Sequence, residues 1–400
     1  MPDTSSAVLI RHIAPKNFLS FGPDNAGIEL HALNLFIGPN SSGKSNLIEA
    51  ISLLRSAPKD KGRDFQDVTR KGGGVTEWIW KGRSKSPASV SWVLNYPNAP
   101  KPLRHSMTFH AVSQAFSLDD ESVEEIEARN PNKPDVMFYY RFQQGHPVLN
   151  TMTLGQRGLA KDTIEPDRSI LAQRRDPETY PELAWLAHNY EKIRIYREWA
   201  FGRDSVIRGT QKADFRNDIL EEDFSNLGLF LNRLKTRSPS AKKAILAGLK
   251  DLYDGITDFD VLIEGGTVQV FFTEGDFVIP ATRLSDGTLR YLCLLAILCD
   301  PDPPPLICIE EPELGMHPDI LPKMADLLRA ASQRTQLIVT THSDVLVDAM
   351  TETPEAVVVC SKHAGQTTMA RLNPADLDEW LKTYRLGQLW TKGQIGGNRW

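Results

Sequence analysis

Residues 38–45 read G-P-N-S-S-G-K-S, from Gly38 to Ser45. Apolar Leu33, Leu35, Phe36 and Ile37 precede them, and the helix-like run Asn46-Leu47-Ile48-Glu49-Ala50-Ile51 follows. A strand, a glycine loop and a helix in that order form a phosphate-binding loop. Gly38 and Gly43 permit the tight turn that presents backbone N–H groups to phosphate oxygens. The helix N-terminus adds the positive end of its dipole. The candidate nucleotide-binding residues are therefore Gly38, Pro39, Asn40, Ser41, Ser42, Gly43, Lys44, Ser45 and Asn46. Lys44 is placed to reach the β- and γ-phosphates of a nucleoside triphosphate, and the Ser45 hydroxyl to bind Mg2+.

Composition narrows the class. A chain of 400 residues suggests two or three structural units, and 41% hydrophobic residues are enough for a sizeable core. The net charge of −5 gives no global signal for nucleic acid, so any such contact has to be a local patch. Cys293, Cys299, Cys308 and Cys360 lie in apolar surroundings without a C-x-x-C pair. They read as buried reduced thiols of a cytoplasmic protein, not as a disulfide frame or a zinc site. Met1-Pro2-Asp3-Thr4 opens no basic-then-apolar segment, so no secretory signal is expected. No apolar run approaches the roughly 20 residues that span a bilayer, and no membrane contact is expected.

Along the chain, residues 1–165 read mostly as strands around the phosphate-loop helix. Candidates are Ser89–Leu94, Met107–Val112 and Val136–Tyr140. The acidic run 119–127 reads as a solvated helix face or loop. Residues 166–258 read as a helical insertion. Pro181 starts one helix, Leu227, Phe230, Leu231 and Leu234 make an amphipathic stripe, and Ala244, Leu246, Leu249 and Leu252 belong to a further helix. Strands return in 259–372, and 373–400 form a tail. The short runs Leu306–Ile309 and Leu337–Thr340 suit buried parallel strands.

The second half of a nucleotide site lies in that third span. Leu306-Ile307-Cys308-Ile309 runs into Glu310, Glu311 and Pro312. A buried strand ending in acids is what a Mg2+–nucleotide requires. Glu310 is expected to hold Mg2+ beside Ser45, directly or through water, and Glu311 to orient or deprotonate the attacking water. Thr340-Thr341-His342-Ser343 closes the next strand, where an imidazole can contact the γ-phosphate. Ser285 and Gly287, in Leu284-Ser285-Asp286-Gly287-Thr288, open a helix whose N-terminus suits an anion.

Phosphate loop, long gap, L-S-D-G-T, E-E-P-E and T-T-H-S, in this order, resemble the ABC-type ATPase head. More narrowly they resemble the SMC/RecF-like ATPases, including the ATPase part of OLD-family proteins. Asn17-Phe18-Leu19-Ser20-Phe21 is similar to that group's first strand, and the run 311–318 to its acidic motif and D-loop. The resemblance implies an α/β fold: a P-loop head with a mixed central sheet, helices, an antiparallel β subdomain and a short helical insertion. It implies a homodimer in which two heads sandwich two ATP molecules. Gly38–Ser45, Glu310, Glu311 and His342 of one head would face Ser285 and Gly287 of the other. Two departures stand out. Glu310 replaces the usual Asp, and Asp286 and Thr288 replace the Gly and Gln common in transporters. Gln66 is a candidate Q-loop glutamine by position, or an ordinary loop residue.

Three roles are compatible with this pattern. The first is an ATPase switch acting on a separately encoded effector in bacterial anti-phage defence, since no Toprim-type acidic cluster follows His342. The second is a RecF-type DNA-repair ATPase. The third is an ABC transporter's nucleotide-binding subunit. Residues 192–216 carry Lys192, Arg194, Arg197, Arg203, Arg208, Lys212 and Arg216 against Glu198, Asp204 and Asp214, with Tyr196, Trp199 and Phe201 between them. This stretch reads as a DNA contact, a solvated helix face or a protein-docking site. Lys382, Arg385, Lys392 and Arg399 make the tail a partner-binding segment or a packed or frayed terminus.

Overall fold

Leu33–Ile37 is buried at all five positions because it lies deep inside a six-stranded sheet. The sheet order is Arg194–Tyr196, Leu306–Glu310, Gln336–Thr340, Leu33–Ile37, Val357–His363 and Gln366–Arg371. All neighbours are parallel except the last pair, an antiparallel hairpin. Alternation sends Leu35, Ile307, Ile309 and Val339 into one core and Phe36, Cys308 and Ile338 into the other. With both faces covered, the strands read as continuous apolar runs. The computed structural model describes residues 7–62, 64–82, 86–98, 101–130, 135–143, 146–151, 155–159 and 164–397. Met1-Pro2-Asp3-Thr4 and Arg399 lie outside them.

One face carries the helix Lys44–Ser56 and an eight-stranded antiparallel sheet that includes Ile10–Lys16, Ala88–Leu94, Leu103–Val112 and Ala115–Glu125. The other carries Leu227–Arg237, Pro239–Leu252, Asp286–Leu298 and Leu321–Ala331. A smaller sheet pairs Thr267–Glu274 with Ile256–Glu264, Gln211–Lys212 and Phe277–Pro280. Among the described residues no helix is long and apolar enough to cross a membrane.

Three sequence expectations change. The acidic run is neither helix face nor loop: it lies largely in the strand Ala115–Glu125, whose period-two alternation turns Glu121 and Glu125 inward. Glu121 accepts from Ile170 N (2.9 Å) and Ser169 Oγ and meets His105 Nε2 at 3.1 Å, while Arg129 Nη2 contacts Glu125 at 2.6 Å. The span 166–258 is not wholly helical, because Arg194–Tyr196 is a strand of the central sheet and Ile256–Glu264 begins within the span. Ala244, Leu246, Leu249 and Leu252 do lie in one helix, Pro239–Leu252, which buries Ala241, Ile245, Gly248 and Leu249 and leaves Ala244 exposed. Its close contact with Leu295 at Gly248 turns the inward face. The basic stretch is no continuous free surface. Arg194 donates to the Glu191 and Ile193 carbonyls, and Arg197, Arg208 and Arg216 pair with Glu49 and Glu310, Asp286 and Asp218. The tail is packed: Leu386, Leu389 and Trp390 are buried, and Gly387 closes on Asp344 and Asp348.

Candidate functional site

The phosphate loop turns through left-handed backbone at Gly38 (φ 146), Ser41 (φ 66) and Gly43 (φ 99). A Cβ on Gly38 would lie 2.3 Å from the Cys360 carbonyl oxygen, and one on Gly43 2.2 Å from Thr367 Oγ1. Thr367 also donates to the Ser42 carbonyl at 2.9 Å and lies 2.7 Å from Ser20 Oγ, which accepts from Asn46 Nδ2 at 2.7 Å. Asn46 thus braces the loop from its far side. Asn40, Ser41 and Ser45 are exposed, Pro39 is half-buried and Ser42 is buried. Lys44 is 5% exposed and folds its ammonium onto the Gly38 and Pro39 carbonyls at 2.8 and 3.1 Å. Burial lowers its pKa against the pull of the nearby acids.

Strands Leu306–Glu310 and Gln336–Thr340 deliver their C-terminal residues to this loop. Ser45 Oγ donates to Glu310 Oε2 at 3.0 Å. Glu310 Oε1 has no hydrogen-bond partner among the described residues and meets Arg197 Nε at 3.2 Å as an ion pair. Burial raises the Glu310 pKa, opposed by Arg197 and the Ser45 hydroxyl. Glu311 has φ 46, and its N–H donates to the Thr340 carbonyl at 3.0 Å. Its Oε1 lies 3.4 Å from His342 Nε2, with both side chains about one-third exposed, at 34% and 33%. Burial, and then Lys44, lower the His342 pKa, so the ring is neutral at pH 7.

Three contributors escaped the sequence reading. Glu313 Oε1 accepts from Thr341 Oγ1 (2.6 Å) and from the His342 N–H (2.8 Å), joining the two strand ends. Arg197 and Trp199, hidden in the basic stretch, reach Glu310; the indole donates to its carbonyl at 2.8 Å. The available signal was the I-R-I-Y run before them, which is strand-like. Gln66 lies in the helix Phe65–Lys71, and its amide donates to the Phe116 carbonyl at 3.2 Å.

Ser285 and Gly287 stand apart from the phosphate loop. Ser285 caps Asp286–Leu298 by accepting from the Thr288 N–H at 3.1 Å. A Cβ on Gly287 would lie 3.0 Å from the Gly315 carbonyl oxygen. Arg208 holds this helix start through Asp286 and the Leu284 carbonyl (2.8 Å).

The chain belongs to the AAA-domain family described as "AAA domain, putative AbiEii toxin, Type IV TA system", matched over residues 33–94 and 153–348. Its fold is that of an SMC/RecF-like, ABC-type ATPase head. The Smc head bound to the C-winged helix domain of ScpA shares 15% identity over 92% of this chain and 99% of that one, with a TM-score of 0.56. A Pyrococcus furiosus Smc head with an extended coiled coil, bound to the C-terminal domain of ScpA, shares 14% over 94% and 98%, with a TM-score of 0.57. No curated protein matches the chain.

Proposed function

We propose that this chain binds ATP with Mg2+ on Gly38–Asn46 and hydrolyses it. In this reading two heads close around two nucleotides, and closure switches a separately encoded effector in bacterial anti-phage defence. The observation that carries the chemistry is the convergence of Ser45, at the start of the phosphate-loop helix, with Glu310, Glu311 and His342, at the ends of two adjacent parallel strands.

The residues suit Mg2+. Ser45 Oγ and Glu310 Oε2 are two hard oxygens 3.0 Å apart, while Arg197 pairs with the other Glu310 oxygen. Among the described residues no group of three His, Cys, Asp or Glu is arranged to hold a metal ion by itself. A metal held by one carboxylate, a hydroxyl and the nucleotide's own oxygens is the usual Mg2+ arrangement. When bound, Mg2+ neutralises charge on the β- and γ-phosphates. Lys44 exchanges its two carbonyl partners for phosphate oxygens. Glu311 takes a proton from the attacking water. His342, neutral and fixed through its backbone by Glu313, donates to the γ-phosphate and registers its loss. Ser285 and Gly287 complete the site of the opposite head.

The effector role is supported by the toxin–antitoxin wording of the family description. The ScpA complexes show that partners dock on such heads in those proteins. Four free cysteines, three of them fully buried, are in keeping with a reducing cytoplasm.

Glu311→Gln tests the chemistry. Turnover is expected to fall about 10²–10⁴-fold, the usual worth of a general base, with ATP affinity kept. Hydrolysis by the variant at the wild-type rate would remove Glu311 from the mechanism. Lys44→Ala is expected to lose nucleotide binding itself. Native mass spectrometry of Glu311→Gln coexpressed with its genomic neighbours tests the effector: a second protein in the assembly supports it, and a bare homodimer does not.

A further inference from the structure

Arg197 plays no part in the chemistry above, yet it sits against the metal-binding carboxylate. The strand Arg194–Tyr196 runs parallel to Leu306–Glu310 with Tyr196 opposite Ile309, so the next step in register sets Arg197 beside Glu310. Its Nη1 contacts Glu49 Oε1 at 2.5 Å and its Nε contacts Glu310 Oε1 at 3.2 Å. Glu49 lies four residues after Ser45 on the phosphate-loop helix and therefore on the same helix face. The guanidinium thus spans the helix that carries Ser45 and the strand that carries Glu310.

Each oxygen of Glu310 has its own neighbour. Arg197 faces Oε1, while Oε2 accepts from Ser45 Oγ at 3.0 Å. The backbone of Glu310 is held by the same segment, through Trp199 Nε1 to the Glu310 carbonyl at 2.8 Å. That indole is itself packed, with Arg290 5.2 Å over its ring and Phe224 at 5.5 Å. A glutamate has one more rotatable bond than aspartate, so its carboxylate needs more restraint to stay in one place.

We propose that Arg197 is a positioning residue for Glu310: clamped by Glu49, it occupies Oε1 and keeps Oε2 turned toward Ser45 and the Mg2+ position. This rests on the reading of Ser45 and Glu310 as the Mg2+ ligands. The role requires a planar fork that reaches two carboxylates at once, which an ammonium point charge cannot reproduce.

The test is binding of a fluorescent ATP analogue, first in EDTA and then with Mg2+ titrated in. In Arg197→Lys, the Mg2+ concentration giving half of the affinity gain is expected to rise at least fivefold, while affinity in EDTA stays within twofold. Glu49→Gln, which preserves size and loosens the clamp, is expected to shift the Mg2+ half-point in the same direction. A merely structural role would move both affinities together. An unchanged Mg2+ half-point in both variants would overturn the role of Arg197 alone. Wild-type protein that binds the analogue in EDTA but gains nothing from Mg2+ would overturn the ligand assignment on which it rests.

Discussion

Glu313 shows how much at this site is decided by a residue that need not touch the nucleotide. Its Oε1 accepts the Thr341 hydroxyl and the His342 N–H, so one carboxylate oxygen fixes where the imidazole begins. Hydrogen bonds to a charged group contribute about 1.5–3 kcal/mol each. Glu313→Ala is therefore expected to lower kcat about 100-fold through lost positioning, with KM changed little. Glu313→Gln keeps an oxygen at Oε1 and should recover most of that loss; equal defects in both variants would reject the positioning role. His342 itself gives a pH prediction. Its folded pKa lies below the ordinary 6.5 through burial and the nearby Lys44. As pH falls below 6.5 the unfolded imidazole takes up a proton before the folded one does. This contribution to stability is therefore intact above 6.5 and is lost as pH drops through the folded value. His12 and His31 are shifted the same way by burial, so the comparison has to be made between proteins. The fall in melting temperature from pH 7.5 to 5.5 is expected to be smaller in His342→Gln than in wild type, and identical falls would contradict a neutral folded His342.

At the scale of elements, helix Pro239–Leu252 meets helix Asp286–Leu298 where Gly248 faces Leu295. A Cβ on Gly248 would lie 2.4 Å from a Leu295 methyl group. Leu295 is fully buried and has little room to turn away. Overpacking of this kind costs about 1–3 kcal/mol, offset in part by the about 0.5–1 kcal/mol that alanine gains over glycine inside a helix. Gly248→Ala is expected to lower the urea midpoint accordingly, and Gly248→Ala with Leu295→Val should regain part of it; a midpoint unmoved by Gly248→Ala would show that the helices part freely. The same contact explains what sequence could and could not tell. Leu227, Phe230, Leu231 and Leu234 were legible as a buried stripe because large apolar residues at helical spacing have one sensible orientation. In Pro239–Leu252 a glycine lies on the inward face, and glycine carries no hydropathic signal. The strands around Phe36, Cys308 and Ile338 were legible because burial on both faces leaves short unbroken apolar runs. Ala115–Glu125 was not, because Glu121 and Glu125 are buried against His105, Ser169, Arg129 and Tyr139, partners that no local pattern announces. Loop, acids and histidine could be read from order alone. Arg197 and Glu313 could not, since their roles exist only once the strands lie side by side.

For the whole molecule, the question is what lies over the exposed side of the phosphate loop. Ser285 and Gly287 are neighbours of Thr288 and Gly315, and no described contact joins them to Gly38–Asn46 of their own chain. A helix N-terminus with a capping serine and a small residue after it is well made to receive an anion, and under the proposed reading that anion is the partner head's γ-phosphate. ATP then closes the dimer only to the extent that it binds the closed form more tightly than the open one. Moving such an equilibrium from 1:99 to 99:1 takes about a 10⁴-fold preference, or about 5.5 kcal/mol. Glu311→Gln should hold the nucleotide unhydrolysed and so let that preference show as a stable Mg2+–ATP dimer by native mass spectrometry. Ser285→Arg adds a long side chain where the second nucleotide must sit, while the loop that binds the first is untouched. The double variant is expected to bind ATP with the affinity of Glu311→Gln alone yet remain monomeric. If it dimerises equally well, the interface lies elsewhere on the head, and Ser285 is only a helix cap, whose removal would cost about 1 kcal/mol of stability and nothing in assembly.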